Sequence, residues 1–132
     1  MNALVHEWVV KAEGDFTTAM REFRARKQPN FDSACFHAQQ VVEKYLKAYL
    51  QDQSVMFPKT HNLIELLELC KGIDPSFDLH RHSMIALDGY ATRFRYPGDS
   101  ADKSDARHAI SACHIDSPIR TGKIGDITKF II

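Results

Sequence analysis

Neither sign of charge dominates this 132-residue sequence, because 17 lysines and arginines balance 17 aspartates and glutamates. A net charge of zero provides no overall attraction to nucleic acid, so any such binding requires a local group of cations. The sequence also lacks an apolar run near the roughly 18 residues of a membrane span, and its N-terminus lacks the layout of a signal peptide. We therefore expect a cytoplasmic protein that does not enter a membrane.

Cysteine is scarce, and the familiar metal and cofactor motifs are missing. The three cysteines, Cys35, Cys70 and Cys113, are far apart, and each lies within an apolar helical pattern. That pattern favours core thiols in a reducing compartment over a disulfide or a metal site. His80 and His82, two residues apart on a helix, point to different sides and make a poor metal pair. The sequence contains no HExxH, CxxC, phosphate-loop or dinucleotide motif, so we predict neither a metal nor a cofactor.

What the sequence does contain is helical periodicity, which is strongest over residues 31–53. No glycine or proline interrupts this segment, and its apolar residues recur at the i, i+3, i+4, i+7 spacing of a buried stripe. A stripe this wide is typical of a helix that is central to a bundle or shared with a partner. The same segment carries a polar edge, which consists of His37, Gln39, Gln40, Glu43, Lys44 and Lys47.

Four further helices are predicted, over residues 2–26, 61–70, 75–92 and 101–115. Gly72 is expected to end the third helix at its usual C-terminal position. Asp74 and Pro75 are expected to cap and begin the fourth helix. Asp99 or Ser100 is expected to cap the fifth.

These segments predict a single all-α domain over residues 1–132. Short connections between helices favour antiparallel neighbours, so the expected fold is an antiparallel, up-and-down four-helix bundle with an additional short helix. Residues 119–132 contain two glycines and alternate only weakly, which indicates an irregular C-terminal tail. No internal repeat and no second domain is evident.

Two loops concentrate polar residues that suit a nucleotide or RNA. The segment PKTH places Lys59 and His61 beside a helix N-terminus, whose free N–H groups favour an anion. The segment RFRYP places Arg93 and Arg95 next to Tyr96, where arginine suits phosphate oxygens and an exposed ring can stack on a base. A structural alternative stays open, in which the arginines complement a helix C-terminus and Tyr-Pro packs a turn. The remaining members of the predicted ligand-binding set lie on the polar edge of the central helix and are His37 and Lys44.

Arg107 and His114 form the one pair with a spacing that suits catalysis. They lie seven residues apart, two turns along one helix face. There the arginine could stabilise the charge of a phosphodiester while the histidine moves a proton. A chain with eight arginines and seven histidines produces about one such spacing by chance, so the spacing alone is weak evidence for an enzyme.

Three blocks of the sequence resemble the HEPN family, whose name stands for nucleotide binding in higher eukaryotes and prokaryotes. The blocks are FHAQQVVEKYLKAYL, FPKTHNLIELL and RFRYPGD, and the start HEWVVKAEGDFTTA is similar to the family's tryptophan-led first helix. The resemblance covers roughly residues 5–115. It implies a bundle of four main helices plus a short one, usually paired into a homodimer. It also implies a small bacterial or archaeal protein, often encoded beside a minimal nucleotidyltransferase in a toxin–antitoxin arrangement.

The resemblance also bears on catalysis. Many HEPN proteins are metal-independent ribonucleases with an Arg-x(4–6)-His motif, and Arg107 and His114, with six residues between them, are the matching positions in this chain. The branch of the family that carries the FHAQQ block commonly lacks this motif. The resemblance therefore favours contact with a ligand through RFRYP over catalysis.

The favoured interpretation is a HEPN-fold protein that binds a nucleotide or RNA, with no DNA predicted, as one component of a two-gene toxin–antitoxin system with a minimal nucleotidyltransferase. The second interpretation is a ribonuclease toxin that combines Arg107 and His114 across a dimer cleft. The third is a dimeric interaction module without ligand chemistry. We also predict a homodimer, because the apolar surface of the central helix and the small-residue face of the fifth exceed what one core should need. That face comprises Ala101, Ala106, Ala109 and Ala112.

Overall fold

The computed structural model of the chain describes residues 2–116 and consists of helices joined by short connections. The α-helices are α1 (Ala3–Arg24), α2 (Phe31–Asp52), α3 (Leu63–Ile73), α4 (Arg81–Arg93) and α5 (Lys103–Asp116), and a 3-10 helix spans Pro75–His80. Within residues 2–116 there is no strand. The predicted all-α helical bundle is therefore confirmed. The predicted irregular tail, residues 119–132, lies outside the described residues.

Asparagine begins three of the helices. The side-chain oxygens of Asn2, Asn30 and Asn62 each accept a hydrogen bond of 2.9 Å from the backbone N–H three residues later. Such a cap satisfies one of the N–H groups that a helix start leaves without a partner, and it contributes about 1 kcal/mol. Three helix starts thus follow directly from the local sequence.

The fifth helix begins differently from the prediction. The predicted caps, Asp99 and Ser100, do not start it; instead Asp102 and Asp105 form a reciprocal pair. The carboxylate of Asp102 accepts the N–H of Asp105 at 2.8 Å, and the carboxylate of Asp105 accepts the N–H of Asp102 at 3.0 Å. This arrangement satisfies two N–H groups at once, which explains why α5 starts two residues later than predicted.

The predicted fourth helix, residues 75–92, is in fact two helices. Asp74 caps the first as expected, since its carboxylate accepts the N–H of Ser76 at 3.0 Å, but this helix is a 3-10 helix that ends at His80. Phe77 is buried and its ring lies 4.7 Å from that of Tyr49 on α2. The prediction that Gly72 ends α3 is also wrong, because α3 continues to Ile73 before Asp74 turns to an extended conformation.

Helix α2 is the centre of the bundle, and α1, α3, α4 and α5 all pack against it. Thirteen of its 22 residues are buried by these helices within a single chain. Ala106 and Ala109 of α5 are buried in the same core. Most of the apolar surface that predicted a homodimer is therefore covered inside the monomer, although Phe36 is 38% exposed and Ala101 and Ala112 are only partly buried. The homodimer stays a prediction.

The core extends to a partly buried aromatic edge at the N-terminal half of α1. The ring of Trp8 lies 6.2 Å from that of Phe57, in the loop after α2, in an edge-on arrangement. The ammonium group of Lys47 on α2 lies 5.4 Å from the centre of the Trp8 ring. Trp8 and the loop after α2 therefore cover the part of the polar edge of α2 that contains Lys47.

Within residues 2–116 no helix combines the length and the apolar character that crossing a membrane requires.

Candidate functional site

A groove of about 430 Å³ lies where the start of α2 meets the end of α4. It is lined by polar groups, aromatic rings and one guanidinium group, from Asn30, Asp32, Ser33, Phe36, Tyr90, Phe94 and Arg95. Ligand pockets for small molecules commonly have volumes of about 300–1,000 Å³ and combine apolar walls with a few polar groups. The groove has both the size and the composition of such a pocket.

The groove is built by the loop that follows α4. Phe94 is buried and its ring stacks on that of Tyr90, with the ring centres 5.8 Å apart. At Gly98 the backbone has a φ of +100°, a conformation that side chains with a Cβ adopt reluctantly. The loop then returns to α2, where the N–H of Ala101 donates a 2.6 Å hydrogen bond to the carboxylate of Asp32. Both ends of the loop are therefore fixed beside the first turn of α2.

The two arginines of RFRYP have different environments. The Nε of Arg93 lies 2.8 Å from the carboxylate of Asp99, and this hydrogen bond raises the pKa of Arg93. The backbone N–H of Arg95 donates to the carbonyl oxygen of Thr92, but within residues 2–116 its guanidinium has neither a carboxylate partner nor a hydrogen bond, and the residue lines the groove. Tyr96 is 66% exposed. All N–H donors of the Arg95 guanidinium are thus available for a ligand, whereas Arg93 has one of its five N–H groups bonded to Asp99.

Phe36 supplies an aromatic face on the opposite wall of the groove. Its side chain is 38% exposed although it belongs to the central helix. Its ring meets the ring of His37 edge-on at 5.2 Å. Phe36 was not among the predicted ligand-binding residues, although its position off the main apolar stripe of α2 was a visible signal.

His61 contacts a buried carboxylate instead of the groove. Its Nδ1 atom lies 3.1 Å from both carboxylate oxygens of Glu43 on α2, which is only 2% exposed. Lys47 lies 3.2 Å from the same carboxylate. The side chain of His61 is 81% exposed. Glu43 therefore holds the Nδ1 side of the imidazole ring while the rest of the ring faces solvent. Lys59 is exposed two residues earlier.

The N-terminus of α3 is already occupied by protein side chains. The N–H of Leu63 donates to the carboxylate of Asp88 at 3.0 Å, and the N–H of Glu65 donates to Asn62. Burial raises the pKa of the Asp88 carboxyl, with hydrogen bonds from Leu63 and other groups opposing that rise. The free N–H groups on which the expected anion site beside Lys59 and His61 depends are therefore in use.

His37 and Lys44 face α1. Lys44 forms an ion pair with Asp15, and the Nε2 atom of His37 lies 3.9 Å from the same carboxylate. The Nδ1 atom of His37 lies 2.8 Å from the carbonyl oxygen of Ser33. Both side chains thus connect α1 to α2, and His37 lies behind two residues that line the groove, Ser33 and Phe36. Asp15 therefore neutralises the charge of Lys44, which was predicted to bind a ligand.

Arg107 and His114 lie on one exposed side of α5, but each contacts a different ring of α1. The guanidinium carbon of Arg107 is 5.9 Å from the centre of the Phe23 ring, and the ring of His114 is 6.2 Å from that of Phe16. Seven residues of helix separate them by about 10 Å along the axis. Within residues 2–116 they do not meet in a common pocket.

The cysteines offer no reactive centre in the part of the chain that the structure describes. All three cysteines are buried without a disulfide, and burial raises the pKa of Cys35 and of Cys70 to about 12, so both thiols are protonated at neutral pH. Over residues 2–116, no three His, Cys, Asp or Glu side chains come together as a metal site.

The predicted ligand-binding residues therefore fall into three separate places. Arg93, Arg95 and Tyr96 belong to the loop beside the groove, Lys59 and His61 lie beside Glu43, and the other two connect α1 to α2. A nucleotide bound in the groove can therefore contact the loop of Arg95 without contacting the residues of the other two places. The groove combines the rings of Phe36, Tyr90 and Phe94 with the guanidinium of Arg95 and with polar groups from the first turn of α2.

Comparison with known proteins identifies the family. The family model of the HEPN domain matches residues 5–115. No curated protein matches this chain, and no solved structure matches it. The family match covers most of the chain, and the all-helical fold is consistent with it. This chain therefore belongs to the HEPN domain family.

Proposed function

We propose that this HEPN protein binds a nucleotide, either free or within RNA, in the groove between α2 and α4. The observation that carries the proposal is the unpaired guanidinium of Arg95 in a groove of about 430 Å³ opposite the exposed ring of Phe36. Arginine binds phosphate oxygens through charge-assisted hydrogen bonds. An aromatic ring accepts the flat face of a base whatever its identity. The two groups together match the two ends of a nucleotide.

The polar residues of the groove fit the middle of such a ligand. Asn30 and Ser33 at the first turn of α2 line the groove beside Arg95. The carboxylate of Asp32 already accepts the N–H of Ala101, so it offers its second oxygen to a hydroxyl donor such as that of a ribose. A bare phosphate leaves that carboxylate unused, which is why we propose a whole nucleotide as the ligand.

Replacement of Arg95 tests the proposal. Arg95→Ala should weaken binding of adenosine monophosphate by about 10- to 100-fold, because a hydrogen bond to a charged group contributes about 1.5–3 kcal/mol. Phe36→Ala should weaken it by a similar factor through lost stacking. Isothermal titration calorimetry on the wild type and both variants measures the change.

Arg107→Ala is the matched control, since it removes an exposed arginine outside the groove. It should bind adenosine monophosphate with wild-type affinity. Equal affinity of Arg95→Ala and the wild type would contradict the proposal, and so would an equal loss in Arg107→Ala.

The ribonuclease interpretation gains no support from the geometry of one chain, since Arg107 and His114 rest on separate rings of α1. It stays a prediction that requires a second subunit to complete the site. Cleavage of RNA in the presence of EDTA by the wild type, and not by His114→Ala, is the result that would support it.

We propose the partners on family membership alone. A homodimer and a minimal nucleotidyltransferase, encoded by a neighbouring gene in a toxin–antitoxin pair, are the partners that the resemblance to HEPN proteins implies. The cytoplasm is the compartment in which such a pair would act. The identity of the adjacent gene is the observation that tests this part of the proposal.

A further inference from the structure

Three buried polar side chains of the central helix converge beneath one exposed histidine. Gln39, Glu43 and Lys47 are buried, whereas the side chain of His61 is largely exposed. Buried charged groups are costly, and apolar residues of similar volume commonly replace a buried ion pair without loss of stability. Polar groups that a core does not need are common at functional sites. The cluster beneath His61 is therefore a candidate for a role beyond the fold.

The buried groups hold both the backbone and the ring of His61. The side-chain amide of Gln39 donates a 3.0 Å hydrogen bond to the carbonyl oxygen of His61. The Nδ1 atom of the imidazole lies 3.1 Å from each oxygen of the Glu43 carboxylate. The ring of an exposed residue is therefore fixed in one orientation by groups that solvent does not reach.

The Glu43 carboxylate also decides which ring nitrogen of His61 carries the proton. An ionised carboxylate only accepts hydrogen bonds, so Nδ1 is the donor in this contact. The ammonium of Lys47, 3.2 Å away, is a second donor to the same carboxylate. In the neutral imidazole the lone pair then belongs to Nε2, on the side of the ring that faces solvent.

A fixed Nε2 lone pair can bind a metal, act as a general base or act as a nucleophile. Over residues 2–116, no three His, Cys, Asp or Glu side chains come together as a metal site. A general base needs a substrate held within its reach, and His61 lines neither the groove nor the cavities beside Trp8 and Met20. A nucleophile that receives a phosphoryl group needs no pocket of its own, because the donor brings that group to an exposed atom.

We propose that His61 is a phosphoryl-acceptor histidine, which receives a phosphoryl group on Nε2 from a phosphoramidate donor, in which phosphorus is bound to nitrogen. The Nε2 lone pair forms a bond to phosphorus, and the bond from phosphorus to the donor nitrogen breaks. That nitrogen is protonated in the donor, so it keeps the electron pair and leaves as a neutral amine. One nitrogen–phosphorus bond replaces another, and nothing is oxidised or reduced.

Glu43 is the positioning residue for this step. Nδ1 keeps its proton during the attack, so the imidazole becomes cationic as Nε2 bonds to phosphorus. The carboxylate 3.1 Å from Nδ1 stabilises that charge, as the aspartate of a catalytic triad stabilises an imidazolium. Lys59, exposed two residues before His61, supplies a cation in the same loop for the phosphoryl oxygens.

Treatment of the full chain with phosphoramidate, followed by site-resolved mass spectrometry, tests the proposal. Wild-type protein should be phosphorylated at His61 at least about tenfold faster than at His82 or His108, a factor that corresponds to about 1.4 kcal/mol of transition-state stabilisation. Those two histidines are matched controls within the same molecule, because both are exposed and neither contacts a carboxylate within residues 2–116. Equal rates at the three histidines would overturn the proposal.

Glu43→Gln separates the charge of Glu43 from its shape. The glutamine keeps an oxygen that accepts the Nδ1 proton, but it offers a dipole in place of a charge, so the rate at His61 should fall about tenfold. Glu65→Gln is the matched control, because the carboxylate of Glu65 accepts the hydroxyl group of Thr60 at 2.8 Å instead of contacting His61. It should leave the rate at His61 unchanged, and an equal fall in both variants would overturn the role of Glu43.

A measurement on the wild type does not depend on the stability of Glu43→Gln, in which Lys47 stays buried without its charged partner. ¹⁵N NMR of the histidine side chains should show the proton of the neutral His61 ring on Nδ1 and the lone pair on Nε2. A proton on Nε2 would overturn the proposal, since that atom would then have no lone pair to attack phosphorus. Neither experiment uses a nucleotide, so its result is independent of binding in the groove.

Discussion

Glu43→Ala should lower the free energy of unfolding by about 3–5 kcal/mol, the usual result of removing one partner from a buried ion pair. Glu43 is 2% exposed and Lys47 is 6% exposed, and their charged groups lie 3.2 Å apart. Without the carboxylate, the ammonium of Lys47 stays buried next to the Trp8 ring and, within residues 2–116, without an ion-pair partner. His61 would lose its side-chain contact with α2, while the hydrogen bond from Gln39 to its carbonyl oxygen remains. Urea denaturation followed by circular dichroism measures the loss.

Two comparisons separate the buried charge from simple loss of packing. The double variant Glu43→Leu, Lys47→Met removes both charges and keeps the volume, so it should be more stable than Glu43→Ala. Asp99→Ala breaks the exposed pair with Arg93, which should cost less than about 1 kcal/mol. A loss below about 1 kcal/mol in Glu43→Ala would contradict the assignment of a buried, paired carboxylate.

Phe77→Ala should lower the free energy of unfolding by about 3–5 kcal/mol, as for other buried phenylalanines. Phe77 is 1% exposed and comes from the 3-10 helix between α3 and α4. Its ring packs against that of Tyr49 on the central helix, with the ring centres 4.7 Å apart. Truncation leaves a cavity between the 3-10 helix and α2 that neither element can close alone.

Leu79→Ala is the matched control for this variant, because Leu79 lies in the same 3-10 helix and is 84% exposed. Leu79→Ala should change the free energy of unfolding by no more than about 0.5 kcal/mol, as for surface substitutions in general. An equal decrease in the free energy of unfolding of the two variants would mean that the 3-10 helix does not place Phe77 in the core. That result would contradict the division of the predicted fourth helix into a 3-10 helix and α4.

The helices could be predicted because their signals are local. Apolar periodicity located α1, α2 and α5, and an asparagine that can cap a helix, Asn62, directly precedes α3. The division after His80 could not be predicted in the same way. Asp74 followed by Pro75 starts a 3-10 helix as readily as an α-helix, and the choice depends on where Phe77 packs.

The sequence singled out the loop that lies beside the groove, but it could not rank the residues of that loop. The segment RFRYP offers two equivalent arginines in the sequence, but in the structure Asp99, six residues after Arg93, pairs with Arg93 and leaves Arg95 without a carboxylate partner within residues 2–116. Phe36 could be recognised only once the end of α4 was placed beside α2. The position of a polar side chain relative to neighbouring helices is a tertiary property.

The burial of two residues on the polar edge of α2 could not be predicted from the sequence either. Glu43 and Lys47, four residues apart, are typical of a solvent-exposed pair on a helix surface. In the structure both are buried, since Trp8 and the loop after α2 lie over them. Similarly, the wide apolar stripe of α2 fitted either a helix central to a bundle or a surface shared with a partner, and only the structure shows that four helices of the same chain pack against it.

The most direct test of nucleotide binding in the groove is a titration of ¹⁵N-labelled protein with adenosine monophosphate, followed by NMR. We predict that the backbone amide signals of residues 30–36 and 94–96 shift together with a single affinity. We also predict that the amides beside Lys59 and His61 stay in place, because that region is a separate contact with Glu43. An absence of shifts at millimolar ligand, or shifts confined to residues outside the groove, would contradict the central claim.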